Sequence, residues 1–174
     1  MAMIEIDEDP LSTAPERLAD LYGRPGFMIR RANQITISVF QAHAGELGLT
    51  NTQFGVLYIL KRYPSIDQVT LAKLLRLDRS TTGTVVATLE SRGLVARDIG
   101  ESDRRRRVLA LTREGETMLH QVQQKSSGTS GTLLAALSPE ERAIFLDLLG
   151  RVVTHFETGA GATEINPASA DNAG

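Results

Sequence analysis

The sequence predicts a mainly α-helical fold with one small β-hairpin. The hairpin lies as a wing against a helix–turn–helix, and further helices flank that lobe on both sides. Three observations carry this. Apolar residues recur at helical spacing near both ends of the chain. Capping residues and helix breakers follow one another closely between Thr50 and Gly93. A single pair of short β-prone runs, Leu94 to Ile99 and Arg106 to Leu111, brackets the turn chemistry of Gly100-Glu101-Ser102-Asp103. Two strands alone do not make an independent sheet, so the hairpin must pack on the helices.

The elements follow in order. Residues 1–10 are acidic, with Glu5, Asp7, Glu8 and Asp9 and no base, and are expected to be a disordered tail. Ser12 to Tyr22 opens with a capping residue and an early proline, a helix start, and Gly23-Arg24-Pro25-Gly26 breaks it. Phe27 to Glu46 is a long helix with two apolar sides. Met28, Ala32, Ile35, Val39 and Ala42 form one, and Ile29, Ile37, Phe40 and Ala44 the other. A small domain rarely covers two sides of one helix, which points to burial against a second copy. Gly48 ends that helix.

Thr50-Asn51-Thr52-Gln53 is a capping box, opening a helix that carries Phe54, Leu57 and Leu60, with Pro64 beyond its end. Asp67 caps the next helix, with Leu71, Leu74 and Leu75 inward. Asp78 or Ser80 caps a third, which carries Val85, Val86 and Leu89 and stops at Gly93. After the hairpin, Thr112 caps a helix holding Met118, Leu119 and Val122. Gln124 to Gly131 is poor helix material and reads as a linker or, preferably, a weakened helix middle, because Leu133, Leu134 and Leu137 resume the pattern. Ser138-Pro139-Glu140-Glu141 is a second capping box, and Phe145, Leu148, Leu149, Val152, Val153 and Phe156 form its apolar stripe. Residues 159–174 are small, polar and patternless, an expected disordered tail.

Composition removes several function classes. The chain has no cysteine, which excludes disulfides, cysteine zinc sites and thiol chemistry. His43, His120 and His155 show no ligand spacing, so no metal or cofactor is expected. No nucleophile–base pair, phosphate loop or catalytic carboxylate pair stands out, and an enzyme is not expected. No apolar run approaches the roughly 20 residues that span a membrane, and the N-terminus lacks a signal pattern, so the expected location is cytoplasmic.

The net charge of −2 conceals a local base. Between Arg76 and Arg113 nine arginines face five acids, leaving +4 there. A basic patch in a mildly acidic chain fits a polyanion met at one place. Two features sharpen this. Arg79, Ser80, Thr81, Thr82 and Thr84 put short polar side chains on a helix start, where backbone can approach a DNA major groove and the helix N-terminus favours phosphate. Asp103, Arg104, Arg105, Arg106 and Arg107 sit at the hairpin tip; arginine suits a narrow minor groove, and the aspartate can aim one guanidinium.

These residues also form linked motifs in register: Leu49-Thr50, Gln53-Phe54 and Val56-Leu57; Leu71-Ala72; Leu77-Asp78-Arg79-Ser80-Thr81; Leu89-Glu90, then Arg92-Gly93-Leu94-Val95; Asp103-Arg104-Arg105; and Leu111-Thr112 with Gly115. From about Leu49 to Leu119 the chain resembles the MarR family of bacterial winged-helix regulators. The resemblance implies a homodimer. Its dimerisation helices, 11–48 and 113–158, interlock and present two winged helix–turn–helix lobes, 49–112, to a pseudo-palindromic operator in double-stranded DNA. It places Ser80, Thr81 and their neighbours in the major groove and Arg105 in the minor groove, oriented by Asp103. The chain departs at Thr84, where a long polar residue is frequent, and at Gly83, where threonine is frequent, so base preference does not transfer. Arg106 and Arg107 add charge beyond the usual tip.

The resemblance also implies a small effector between the dimerisation helices and the lobe: a phenolic, aromatic or heteroaromatic acid, or its thioester. The candidates to hold it are Arg30, Arg31, Gln34 and His43, with Phe27, Phe40, Phe54 and Tyr58 to stack. The stretch Arg24 to Arg31 is similar to regulators of aromatic catabolism in that family. The expected role is a repressor released by its effector. An activator or dual regulator of the same fold remains open, as does a winged-helix interaction module without DNA binding.

Overall fold

A computed structural model describes residues 18–99 and 107–157. The chain divides into two units, Met1–Ser130 and Gly131–Gly174. The first holds α1 (Ala19–Tyr22), α2 (Pro25–Ala44), a 3-10 turn (Gly45–Leu47), α3 (Asn51–Arg62), α4 (Gln68–Leu75), α5 (Arg79–Ser91), β1 (Val95–Ile99), β2 (Arg107–Leu111) and α6 (Arg113–Ser126). The boundary falls within α7 (Thr129–Leu133), and α8 (Pro139–Glu157) lies in the second unit. Helices with one antiparallel hairpin are the predicted fold class.

Helix starts follow the local chemistry. The Thr50 hydroxyl accepts from Gln53 N at 3.2 Å, and the Gln53 side chain accepts from Thr50 N at 3.1 Å, a closed capping box. Asp67 accepts from Thr70 N at 2.7 Å and Thr112 from Gly115 N at 2.9 Å. Ser138 and Glu141 exchange the same reciprocal pair at the head of α8, at 2.8 and 3.3 Å. Each cap satisfies amides that the first helical turn leaves without partners.

The core of the first unit is aliphatic. Leu49, Val56, Leu57, Leu60, Leu71, Val86, Leu89, Leu109, Leu119 and Val122 are buried, joined by Phe40 and Ala44 from the end of α2. Burying each of the valine, leucine and phenylalanine side chains stabilises by about 1.5–3 kcal/mol. The hairpin pairs Val95 with Leu111 through to Ile99 with Arg107. It is not a free ribbon. Leu109 N donates to Ile66 O at 2.8 Å, so the α3–α4 connection supplies a one-residue third strand. The Thr112 hydroxyl donates to Gly93 O at 2.6 Å and ties the hairpin's open end.

Two glycines are required here. Gly93 ends the α5 connection at φ +70°, where a side chain is strained. At Gly115 a Cβ would lie 2.0 Å from Leu94 O, so α6 can start against β1 only without one.

Several expectations need correction. The break after Tyr22 is present but takes only Gly23 and Arg24; Pro25 is already the first residue of α2, where its missing N–H costs nothing. That helix ends at Ala44 rather than at Gly48, which terminates the 3-10 turn at φ +65°. Leu74 is exposed, not inward, because α4 buries Leu71 and Ala72 instead. Gln124 to Gly131 is no linker, and the weakened helix middle is an outright break of two residues: α6 stops at Ser126, a turn covers Ser127 and Gly128, and α7 begins at Thr129. Of the expected helix Ser12 to Tyr22, Ala19–Tyr22 is helical and 12–17 lie outside the described residues, as do both expected tails.

Candidate nucleic-acid interface

Helix α5 starts at a fixed geometry. The turn from α4 passes through Arg76 at φ +53°, a left-handed position held by Leu77 N donating to Ala72 O at 3.1 Å. Asp78, not Ser80, is the cap. Its carboxylate accepts from Thr81 N at 2.8 Å and from the Thr81 hydroxyl at 2.5 Å. The Thr81 hydroxyl bond, followed by the Thr81 amide, holds the Asp78 carboxyl below its ordinary 3.8.

The hydroxyl residues then divide. Arg79, Ser80, Thr81 and Thr84 are exposed together on one side. Thr82 is fully buried, with its hydroxyl donating to Asp78 O at 2.9 Å. It faces the core beside Val86 and Leu89 and is not on the exposed face where the sequence reading put it. A Cβ at Gly83 would come within 3.2 Å of Gln68 Nε2, the tip of a flexible side chain on α4. The exposed face runs on through Ala87, Thr88 and Ser91.

Two arginines fix α5 to its surroundings. Arg97 of β1 donates from Nε to both Glu90 oxygens at 2.9 Å, linking wing and helix. Arg92 donates to Gly48 O at 2.6 Å and Leu47 O at 3.1 Å, linking the end of α5 to the turn after α2. Neither role is legible in the sequence. The Arg92 bonds span more than forty residues of chain and carry no local signal. The wing tip residues Asp103, Arg104, Arg105 and Arg106 lie outside the described residues.

The effector candidates fall into two groups. Phe27 meets Tyr22 edge to face at 5.3 Å, and the Arg30 guanidinium lies 5.2 Å above its ring. Phe40, Phe54 and Tyr58 form a separate row, with centroids 5.8 and 6.0 Å apart. More than three turns of α2 separate Phe27 from Phe40, about 20 Å of rise, so one small molecule does not touch both within one chain. Phe40 is a core residue, Arg31 and Gln34 are exposed, and His43 Nδ1 sits 2.9 Å from Val39 O. Arg62, also missed, lies 5.4 Å over the Tyr58 ring and donates to its hydroxyl at 3.2 Å. Its spacing of four residues from Tyr58 was the available signal.

The lobe has counterparts. Residues 49–106 match the sequence model of the MarR family. A Thauera aromatica protein described as a transcriptional regulatory protein for the hcr operon is 33% identical over 134 residues, covering 75% of this chain and 79% of that one. The structure of the transcriptional repressor CouR bound to a 23-mer DNA duplex superposes with a TM-score of 0.73 at 27% identity, over 78% of this chain and 96% of that one. Bordetella bronchiseptica BpsR, studied for regulation of its DNA binding by 6-hydroxynicotinic acid, gives a TM-score of 0.71 at 27% identity, over 75% and 94%. Among the described residues no helix is long and apolar enough to cross a membrane. The fold, the linked motifs and these likenesses agree: the chain belongs to the MarR family of transcriptional regulators.

Proposed function

We propose that the chain is a repressor that binds a pseudo-palindromic operator as a homodimer and is released by a small aromatic or heteroaromatic acid or its thioester. The observation that carries the DNA-binding part is the start of α5. Arg79, Ser80, Thr81 and Thr84 stand exposed on a helix whose entry angle is set by Asp78 and whose far end is anchored by Arg92 and Arg97. A rigid helix with short polar side chains is what a major groove admits. In this reading Arg105, aimed by Asp103, enters the minor groove, and Arg104 and Arg106 meet phosphates. Such a regulator works in the cytoplasm, where the chromosome is.

The dimer rests on residues 11–48 and 113–158. Met28, Ile29, Ile35 and Ile37 of α2 are exposed, as are Phe145, Leu148, Leu149, Val152, Val153 and Phe156 of α8. The effector reading draws on the row Phe54, Tyr58 and Arg62, in which aromatic faces and a guanidinium suit an aryl carboxylate. The heteroaromatic acid that regulates BpsR points the same way. An effector acts by binding better to a lobe spacing that does not fit the operator, and weakens DNA binding by that differential affinity.

The test is a gel shift on DNA upstream of the chain's own gene, after a thermal-shift screen of aromatic acids and their CoA thioesters. Binding should fall with salt at a log–log slope near −0.9 per phosphate contact, and a stabilising acid should release the DNA. A flat salt dependence would favour a protein-interaction module. Arg105→Ala should weaken operator binding strongly without lowering the melting temperature.

A further inference from the structure

Four hydroxyls on the exposed face of α5 donate their protons back to its own backbone and cap. The Thr81 hydroxyl donates to the Asp78 carboxylate at 2.5 Å, Thr84 to Ser80 O at 3.2 Å, Thr88 to Thr84 O at 2.9 Å and Ser91 to Thr88 O at 2.8 Å. A threonine Cβ carries only an oxygen and a methyl, and its χ1 is stiff. With the oxygen folded back on the preceding turn, the methyl is the substituent left to face outward. Thr84, Ala87 and Thr88 are neighbours on one exposed side, at spacings of three and four. Together they make a methyl surface with acceptor lone pairs behind it and few donors.

Each base pair offers a different pattern in the major groove. Guanine presents two acceptors, which need a donor pair; thymine presents a methyl group, which needs an apolar contact. We infer that Thr84 and Thr88 are specificity-determining residues that read thymine 5-methyl groups through their own γ-methyls, not bases through their hydroxyls. The inference deepens the proposed DNA-binding reading and rests on it. Thr88 lies beyond the stretch that sequence motifs single out, and it enters because its hydroxyl is committed in the same way as that of Thr84. Arg79, at the head of the helix, is left as the forked donor for guanine or phosphate.

The test uses the full-length dimer and an operator mapped by footprinting on the upstream DNA. Thymines in each half-site are replaced singly by deoxyuridine, which removes the methyl and keeps the pairing. Affinity should drop roughly fourfold at each thymine that meets a threonine, the effect of losing one buried methyl-sized group. This discrimination should vanish in Thr84→Ser or Thr88→Ser, each at its own thymine, and persist in the corresponding valine variants. Melting temperatures check that all four variants fold. If deoxyuridine operators bind wild type equally well, the inference is overturned. It is also overturned if serine variants keep the discrimination and valine variants lose it, since the hydroxyl then reads the base. Failure to bind any upstream duplex is a different result: it removes the DNA-binding reading itself.

Discussion

Helices α5 and α8 are built in opposite senses. Helix α5 buries Thr82, Val86 and Leu89 and exposes hydroxyls. Helix α8 is longer, buries none of its residues, and exposes Ile144, Phe145, Leu146, Leu148, Leu149, Val152, Val153 and Phe156. An exposed polar face on a closed core suits a wet, charged ligand. A contiguous exposed apolar face suits a dry partner. The lobe around α5 therefore has a core of its own, while α8 leaves its apolar face uncovered, the face that the proposed dimer would bury. The two halves should fail differently when mutated.

The largest expected effect is at α8. Leu149→Asp with Val152→Asp would put two carboxylates into a dimer interface, where unpaired charge is costly. Sedimentation should show the dimer constant weakened on the order of 100-fold or more, and operator binding should go with it. A dimer that survives both substitutions would separate α8 from assembly. In the lobe, Leu89→Ala removes a fully buried side chain and should cost about 3 kcal/mol in urea unfolding, with the dimer constant little changed. A loss well under 1 kcal/mol would mean that the core around α5 relaxes, and would blur the contrast.

The contrast also shows what the sequence could reveal. Caps were legible because they are local: Thr50, Asp67, Asp78, Thr112 and Ser138 each act on an amide three residues on. So were the hairpin and the linked motifs, which led to the family. Direction was harder. Thr82 looks like its neighbours in sequence, yet helical phase turns it into the core. Leu74 is as apolar as Leu71, but only Leu71 is turned into the core. Long-range bonds were invisible: Arg92 to the carbonyls of Leu47 and Gly48, and Ile66 to Leu109. The effector candidates were grouped by residue type, and the length of α2 divides them.

Arg92 offers a smaller, sharper test. It joins the end of α5 to the turn that follows α2, so it links the proposed reading helix to the helix proposed to meet the partner. Arg92→Ala should cost about 1 kcal/mol of stability, since its carbonyl bonds are partly in water. Operator affinity should fall further than this, because α5 loses its anchored end. Arg92→Lys can restore one bond, not the fork, and should recover stability more than affinity. Equal recovery of both would make Arg92 merely a structural tie.

Asp78 should give the smallest effect, and one of mixed sign. Its carboxyl is held below 3.8 chiefly by the Thr81 hydroxyl, then by the Thr81 amide. A carboxyl lowered on folding stabilises above its unfolded value, and that support is lost as pH falls through the folded one. Asp78→Asn still caps the helix but has no charge to lose. The wild type should therefore melt higher than the variant from about pH 5 upward, with the gap closing below 3.8. A gap that stays constant down to pH 3 would mean that the charge is not engaged. DNA affinity should move the other way. An ionised carboxylate at the start of α5 occupies the place where a helix favours phosphate, so the asparagine variant should bind non-operator duplex more tightly at neutral pH. In the proposed DNA-binding reading, the residue that fixes the entry of α5 also repels the polyanion there, which favours contact with bases over contact with backbone alone.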